Sequence, residues 1–386
     1  MNIIRLYDFL QSSKAEEFYQ DIAHRNIREI NQIKFLKDKY SEDPVAELLT
    51  LERLRKNAKE RIKDAENYLF TTKGVEQSSS SQVAEYHAKL FKHVNVLADL
   101  CCGNGIDLIN IAKNKSLVYA VDLSNTALLC SRYNCQINRL DTIIFRNMKA
   151  EDFNEEVEAV FIDPDRRPEE RRVIQAEDIS PNFDELIKII HQFQNVVIKL
   201  SPVFDYLNAS VAEPHTWEFI SEDGVLKEIL LCTGSFATPN INRKVVILPQ
   251  TVFTQNYQSV QVSSIKKFVY DPDPAIIRSG LVQDLAYEVE ASLINKHLSI
   301  LTSDSKINSE FLKGYEVIEY FHYSVKTLKK YLKENQIGKL VVKVRGFPER
   351  PNQVISKFKL SGPNTSLIYL IRMDKEFICL VLTRIK

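Results

Sequence analysis

Between residues 92 and 250 short apolar runs alternate with helical segments, and that alternation leaves few folds open. Val94–Leu100, Leu117–Val121, Thr142–Arg146, Val157–Ile162 and Asn195–Leu200 read as strands. Ile106–Lys113, Asn125–Leu140 and Phe183–Phe193 read as the helices between them. Strands this continuously apolar are buried on both faces, which predicts a mostly parallel sheet covered by helices on each side. Further strands are predicted at Trp217–Ser221, Val225–Cys232 and Arg243–Leu248.

The flanks differ. Residues 1–72 read as helical: Val45–Phe70 places Leu48, Leu51, Leu54, Ala58, Ile62, Ala65 and Leu69 close to helical spacing, after a start at Asp43-Pro44. Gly74–Gln82 is polar and serine-rich and reads as a linker, followed by a short helix over Val83–Phe91. Residues 251–310 read as a connection, with a turn at Asp271–Ala275 and a helix over Ile276–Leu293. Residues 311–386 have the order strand, helix, strand, helix, strand, strand, which suits a small α+β domain. The expected domains are therefore 1–72, 73–250, 251–310 and 311–386. The whole chain of 386 residues carries 51 basic and 51 acidic side chains, but 311–386 carries +9 and the remainder −9. Such segregation makes the tail a candidate surface for a polyanion.

Composition removes several classes. With 44% hydrophobic residues the chain can bury a core. No apolar run reaches the roughly 18 residues that a membrane helix needs, so no membrane partner is expected. The charged Met1–Tyr19 stretch does not read as a secretory leader. The six cysteines form no CxxC pair and the seven histidines no HxxxH or HxH spacing, so no metal centre or disulfide framework is expected. Unpaired thiols suit a reducing cytoplasm.

The chemistry concentrates at strand ends. Ala98-Asp-Leu-Cys-Cys-Gly-Asn-Gly-Ile-Asp107 leaves the first strand and enters a helix. Gly103 and Gly105 allow a sharp turn and close approach of a ligand, at the crevice that doubly wound sheets use. Asp122 ends the second strand, where a carboxylate can accept both hydroxyls of a ribose. The third glycine of the dinucleotide pattern GxGxxG is missing. Val160-Phe-Ile-Asp163-Pro164-Asp165-Arg166-Arg167-Pro168 and Val197-Ile-Lys199-Leu-Ser201-Pro202 end the fourth and fifth strands at the same edge. Arg166 and Arg167 suit bidentate phosphate contact.

Asp99–Gly105 resembles the D-L-G-C-G-x-G motif of class I S-adenosylmethionine (SAM) dependent methyltransferases, with Cys101 where glycine is usual. The resemblance implies a Rossmann-like α/β fold with a seven-stranded, mostly parallel sheet. It implies SAM as cofactor, held by Asp99, Cys101, Gly103, Asn104, Gly105, Asp122 and Leu123. Lys149-Ala150-Glu151-Asp152 lies where the family contacts adenine, with Lys149 replacing the usual Asp, so Ala150, Glu151 and Asp152 are expected there. Asp163-Pro164 is similar to the start of the D-P-P-Y motif of enzymes that methylate amino nitrogens, with Asp165 and Arg166 replacing the second Pro and the aromatic. Asp163 and Pro164 are thus the expected catalytic pair. Glu76–Ser79, Asp163–Pro168, Lys199–Pro202 and Asp271–Gly280 together resemble bacterial THUMP-like domain-containing methyltransferases, and Tyr315–Gly346 is similar to their terminal domain. On that resemblance Gln77 and Ser78 join the cofactor set, and Arg166, Arg167, Lys199 and Ser201 the substrate set. The expected partner is RNA, tRNA or rRNA, bound through the basic tail and methylated on a base nitrogen. A protein or small-molecule acceptor, or a non-catalytic SAM- or RNA-binding module, remains open at this point.

Overall fold

The computed structural model describes residues 1–23, 30–41, 43–166 and 179–385. Contacts group the chain into two compact units rather than four segments: Met1–Glu222 with Lys227–Asn242, and Asp223–Leu226 with Arg243–Lys386.

In the first unit seven strands lie in one sheet: β1 (Val96–Leu100), β2 (Leu117–Asp122), β3 (Ile143–Asn147), β4 (Ala159–Ile162), β5 (Val196–Leu200), β6 (His215–Glu222) and β7 (Val225–Thr233). Their order is β6-β7-β5-β4-β1-β2-β3. Neighbours from β5 to β3 are parallel, and β7 runs antiparallel beside β5. The order reverses at β1, so the carboxyl ends of β1 and β4 flank the crevice where such sheets bind ligands. The central strands are buried throughout: Leu97, Ala98, Val160, Phe161, Val197 and Ile198 have essentially no exposed surface. This is why their sequences run apolar without alternation.

Helices α1 (Ile3–Leu10), α2 (Lys14–Ala23), α3 (Ile30–Lys39) and α4 (Val45–Ala58) precede the sheet. The periodic pattern over Val45–Phe70 predicts one long helix, but α4 stops at Ala58, and a single 3-10 turn follows at Ala65–Asn67. The serine-rich stretch is not a linker. It holds α5 (Thr72–Gln77), capped by Thr71, whose Oγ1 accepts from Gly74 N at 2.9 Å. It then starts α6 (Ser81–Leu90), capped by Ser80. Serine and threonine side chains here replace the backbone acceptors that a helix start lacks. The remaining helices are α7 (Ile106–Ile111), α8 (Asn125–Ile137) and α9 (Phe183–Phe193), the last with a capping box of Asn182 and Glu185.

The second unit begins with the hairpin β8 (Arg243–Ile247) and β9 (Thr251–Thr254). It then builds a seven-stranded sheet from β10 (Phe268–Pro272), β11 (Ser292–Leu293), β12 (Leu301–Ser303), β13 (Leu312–His322), β14 (Ile337–Arg345), β15 (Asn364–Met373) and β16 (Glu376–Arg384), ordered β11-β12-β10-β13-β16-β15-β14. Residues 251–310 therefore give three strands to this sheet instead of merely connecting. The helix predicted over Ile276–Leu293 is two short ones, α10 (Pro274–Ser279) and α11 (Val282–Glu288). They break at Gly280, whose φ of +74° ends a helical turn. Asp271 is buried in β10, where it accepts from Tyr369 Oη at 2.7 Å and pairs with Lys343 and Arg345. Helices α12 (Val325–Glu334) and α13 (Pro351–Ile355) pack Leu328, Leu332 and Val354 into the core beside Leu340, Val342 and Ile368. Lys326, Lys329, Lys330 and Lys333 of α12 are exposed.

Candidate active site

A cavity of about 550 Å³ opens in the first unit at the carboxyl ends of β1, β2, β4 and β5. Its walls include the turn Cys101–Asp107, Asp122 and Leu123, Met148–Glu151, Asp163–Asp165 and Lys199–Ser201. Gln77–Ser80, from the end of α5 to the cap of α6, close another side. Arg61 fastens that side: it donates to Ser78 O at 2.6 Å and to Val75 O.

The turn after β1 is tight because Cys101 N and Cys102 N both donate to Val121 O, at 2.8 and 3.0 Å. Cys101, Gly103 and Gly105 all have positive φ, +67°, +55° and +80°. Cys101 therefore occupies a backbone that favours glycine, at a cost of roughly 1–2 kcal/mol for a residue with a side chain. At Gly105 any Cβ would lie 2.5 Å from Ser131 Oγ, so steric room as well as φ demands glycine.

Asp122 is aimed by its neighbours. Its Oδ1 accepts from Ser124 N at 2.7 Å and its Oδ2 from Gly103 N at 2.9 Å, which ties the end of β2 to the glycine turn. Asp99 lies beneath the turn, 1% exposed, and neither carboxylate oxygen has a hydrogen-bond partner. Burial first, then the negative charges of Asp107, Asp163 and Asp122, push its carboxyl well above the ordinary range. Asn104 is also buried, with both side-chain polar atoms unpartnered. A buried carboxylate and amide left without partners beside a glycine turn fit a polar, cationic ligand.

At the other edge Asp163 ends β4 and Lys199 lies in β5, and Lys199 Nζ donates to Asp163 Oδ2 at 2.6 Å. Burial raises the Asp163 carboxyl to about 6 even though Lys199 pulls it down, and Asp107 adds to the rise. Lys199 Nζ is also 3.8 Å from Asp107 Oδ2. Behind it, His87 Nδ1 lies 2.8 Å from Asp107 Oδ1, and His87 Nε2 lies 2.5 Å from Glu228 Oε1.

Most expected residues therefore meet in one cavity. Cys101, Gly103, Asn104, Gly105, Asp122, Leu123, Ala150, Glu151, Gln77, Ser78, Asp163, Pro164, Lys199 and Ser201 all line it. Asp99 lies just below, and Asp152, in the 3-10 turn Ala150–Asp152, is outside the lining. Arg166 is described by its backbone alone, paired with Ile179, and Arg167 lies outside the described residues. Ser79, at the end of the Glu76–Ser79 stretch, lines the cavity as well, whereas Asp107, His87, Glu228 and Arg61 escaped the sequence reading. A charged Glu228 inside the apolar run Val225–Cys232 was the available signal, since such residues are seldom buried without a partner.

Residues 312–384 match the family model described as THUMP domain-like, and residues 14–166 match that of tRNA (Uracil-5-)-methyltransferase. An uncharacterized S-adenosylmethionine-dependent methyltransferase of Mycobacterium tuberculosis is 23% identical over 309 residues, 79% of this chain and 85% of that one. A solved structure from Porphyromonas gingivalis W83, assigned provisionally as a methyltransferase, covers 86% of this chain and 89% of its own at a TM-score of 0.70 and 19% identity. That likeness gives the fold, and the motif turn sits at the expected strand end within it. These family-model matches and named relatives support a SAM-dependent methyltransferase. The methyltransferase carries a THUMP-like domain over residues 312–384, and its relatives' names support SAM as the cofactor. A tRNA/tmRNA (uracil-C(5))-methyltransferase of Shewanella frigidimarina is 30% identical over 101 residues, 20% of this chain and 28% of that one. Among the described residues of the methyltransferase, no helix is long and apolar enough to cross a membrane.

Proposed function

We propose that this methyltransferase modifies structured RNA, tRNA or rRNA, on a base nitrogen. The observation that carries the reading is the Asp163–Lys199 pair, a carboxylate held at 2.6 Å in the same cavity as the glycine turn. Asp122 would take the ribose of SAM, the Cys101–Gly105 turn with Asn104 its methionine end, and Ala150 with Glu151 its adenine. Bound there, SAM supplies a methyl group on a sulfonium, whose departure leaves no charge to stabilise. The protein's task is then alignment, worth roughly 7–11 kcal/mol when two reactants are held in register. Asp163 accepts the N–H of the acceptor, aims the nitrogen lone pair and receives the proton once nitrogen is methylated. Lys199 fixes the rotamer of that carboxylate.

Asp99 and the ligand are coupled. A cation seated near the turn stabilises the Asp99 anion, whose carboxyl burial holds well above the ordinary range, so SAM binding releases a proton. Calorimetry in buffers of different ionisation enthalpy measures this. Buffer-dependent heats that vanish in Asp99→Asn are expected, and heats equal in all buffers would remove Asp99 from the coupling.

A second reading, carbon 5 of uracil, is favoured by the family match over 14–166. That carbon becomes nucleophilic only after a thiolate adds to the neighbouring carbon 6. The cavity's thiols are Cys101 and Cys102, and burial pushes both well above the ordinary thiol range. This supports nitrogen.

The RNA reading rests on the family matches and on the four exposed lysines of α12. A cytoplasmic setting follows from that substrate and agrees with the six free cysteines. The test is transfer of labelled methyl from SAM to total RNA of cells lacking the gene, with RNase-treated and protein-only controls. RNase-sensitive label is expected, and label confined to protein would overturn the reading. With about four phosphates engaged, RNA affinity falls on the order of 10²-fold between 50 and 200 mM salt. A flat salt response would exclude the lysines as a phosphate surface.

A further inference from the structure

We propose that His87 is a positioning residue for the acceptor side of the cavity: clamped between Asp107 and Glu228, it holds Asp107 as the anion that shares Lys199 with Asp163. The inference rests on the reading of Asp163 as the acceptor-side base. Four elements bring the groups together. His87 comes from α6, Asp107 from the first turn of α7, Lys199 from β5 and Glu228 from β7.

His87 has no exposed surface, and each ring nitrogen faces a carboxylate oxygen. Ionised carboxylates only accept hydrogen bonds, so both nitrogens donate and the ring is an imidazolium. Burial works against that charge, but Glu228 and Asp107 outweigh it and raise His87 to about 10. Asp107 is likewise held low by Lys199 and His87 despite its burial, and its Oδ2 accepts the Ser79 hydroxyl at 2.8 Å.

Lys199 thus stands between two carboxylates and sits on Asp163. The positive charge of the ring is what limits the pull of Asp107 on that ammonium. Without it, Asp107 and Glu228 lose their common counter-ion, Lys199 is drawn toward Asp107, and the Asp163 carboxyl rises. Neutralising Glu228 does the reverse, since its charge raises Asp163. The titratable groups that face Asp163 from the surrounding elements are Lys199, Asp107, Glu228 and the buried Asp99. Removing one member of a buried ion cluster also costs stability. A cluster that merely propped the wall would respond with that loss alone, without directed shifts at Asp163.

The test uses the full chain with ¹³C-carboxyl-labelled aspartate, the Asp163 resonance being assigned by its loss in Asp163→Asn. A midpoint near 6 is expected in the unaltered protein. His87→Gln moves it up, and Glu228→Gln moves it down, each by about one pH unit. The acid limb of methyl transfer to RNA moves with it. Midpoints that stay put, or move together, overturn the proposal. If His87→Gln does not fold, an unmoved midpoint in Glu228→Gln does so. The ¹⁵N spectrum of His87 needs no variant: an imidazolium at pH 8 is expected, and a neutral ring overturns the clamp. Opposite carboxyl shifts without any RNA methylation would strike the RNA reading and leave the positioning role standing.

Discussion

Asp163→Asn lowers methyl transfer by about 10²–10⁴-fold while S-adenosylhomocysteine binds as tightly as before. The amide keeps the size of the side chain and one acceptor oxygen, so the cavity wall is preserved. What it loses is the negative charge that receives the acceptor's proton and the partner of Lys199 at 2.6 Å. The working form is the carboxylate, so activity rises with pH through about 6 and then levels off. The sign follows from the raised carboxyl: below that value the proton it must accept is already in place. Single-turnover transfer across pH 5–8, with calorimetric binding on the same preparations, separates the two effects. Turnover within about threefold of the unaltered enzyme, or loss of binding in parallel, would remove Asp163 from the mechanism.

Asp122→Ala has the opposite signature, weakening S-adenosylhomocysteine by roughly 10²-fold or more. Two hydrogen bonds to a charged acceptor are worth about 1.5–3 kcal/mol each, which brackets that loss. The carboxylate also accepts from Gly103 N and Ser124 N, so its removal loosens the turn that the ligand would touch. At saturating SAM the remaining turnover stays close to normal, because nothing at the acceptor edge has changed. An affinity within threefold of normal would place the ribose elsewhere.

How far the sequence could be read depended on what each residue answers to. The strands of the first unit were legible because burial on both faces leaves an almost wholly apolar run, as in Ala159–Ile162, and in Val196–Leu200 but for Lys199. The glycine turn was legible because steric demand at Gly105 admits nothing else. Cys101 looked like a departure from its family motif, yet its backbone is the one glycine would adopt, so the motif survives in conformation where it lapsed in residue type. The serine-rich stretch misled for a physical reason. Its polarity serves two helix caps and a cavity wall, while composition alone cannot tell a capping hydroxyl from a solvated one. His87, Asp107 and Glu228 are far apart in sequence, and only the sheet order brings them together.

Asn134 of α8 is fully buried, and its side chain accepts from Leu69 N at 2.7 Å and donates to Leu69 O at 3.0 Å and Asn104 O at 2.9 Å. One amide therefore stitches the chain before α5 to the glycine turn. During synthesis the residues at both ends of Arg61's hold leave the ribosome well before Asn134 does, so the wall they form has to wait for α8 to be anchored. For anyone trimming the protein, the helical segment before residue 73 is not a detachable leader. Cutting it away strands a buried amide and unfastens the wall that Arg61 holds, so a shortened chain would keep every motif residue from Asp99 onward and still lack a finished pocket.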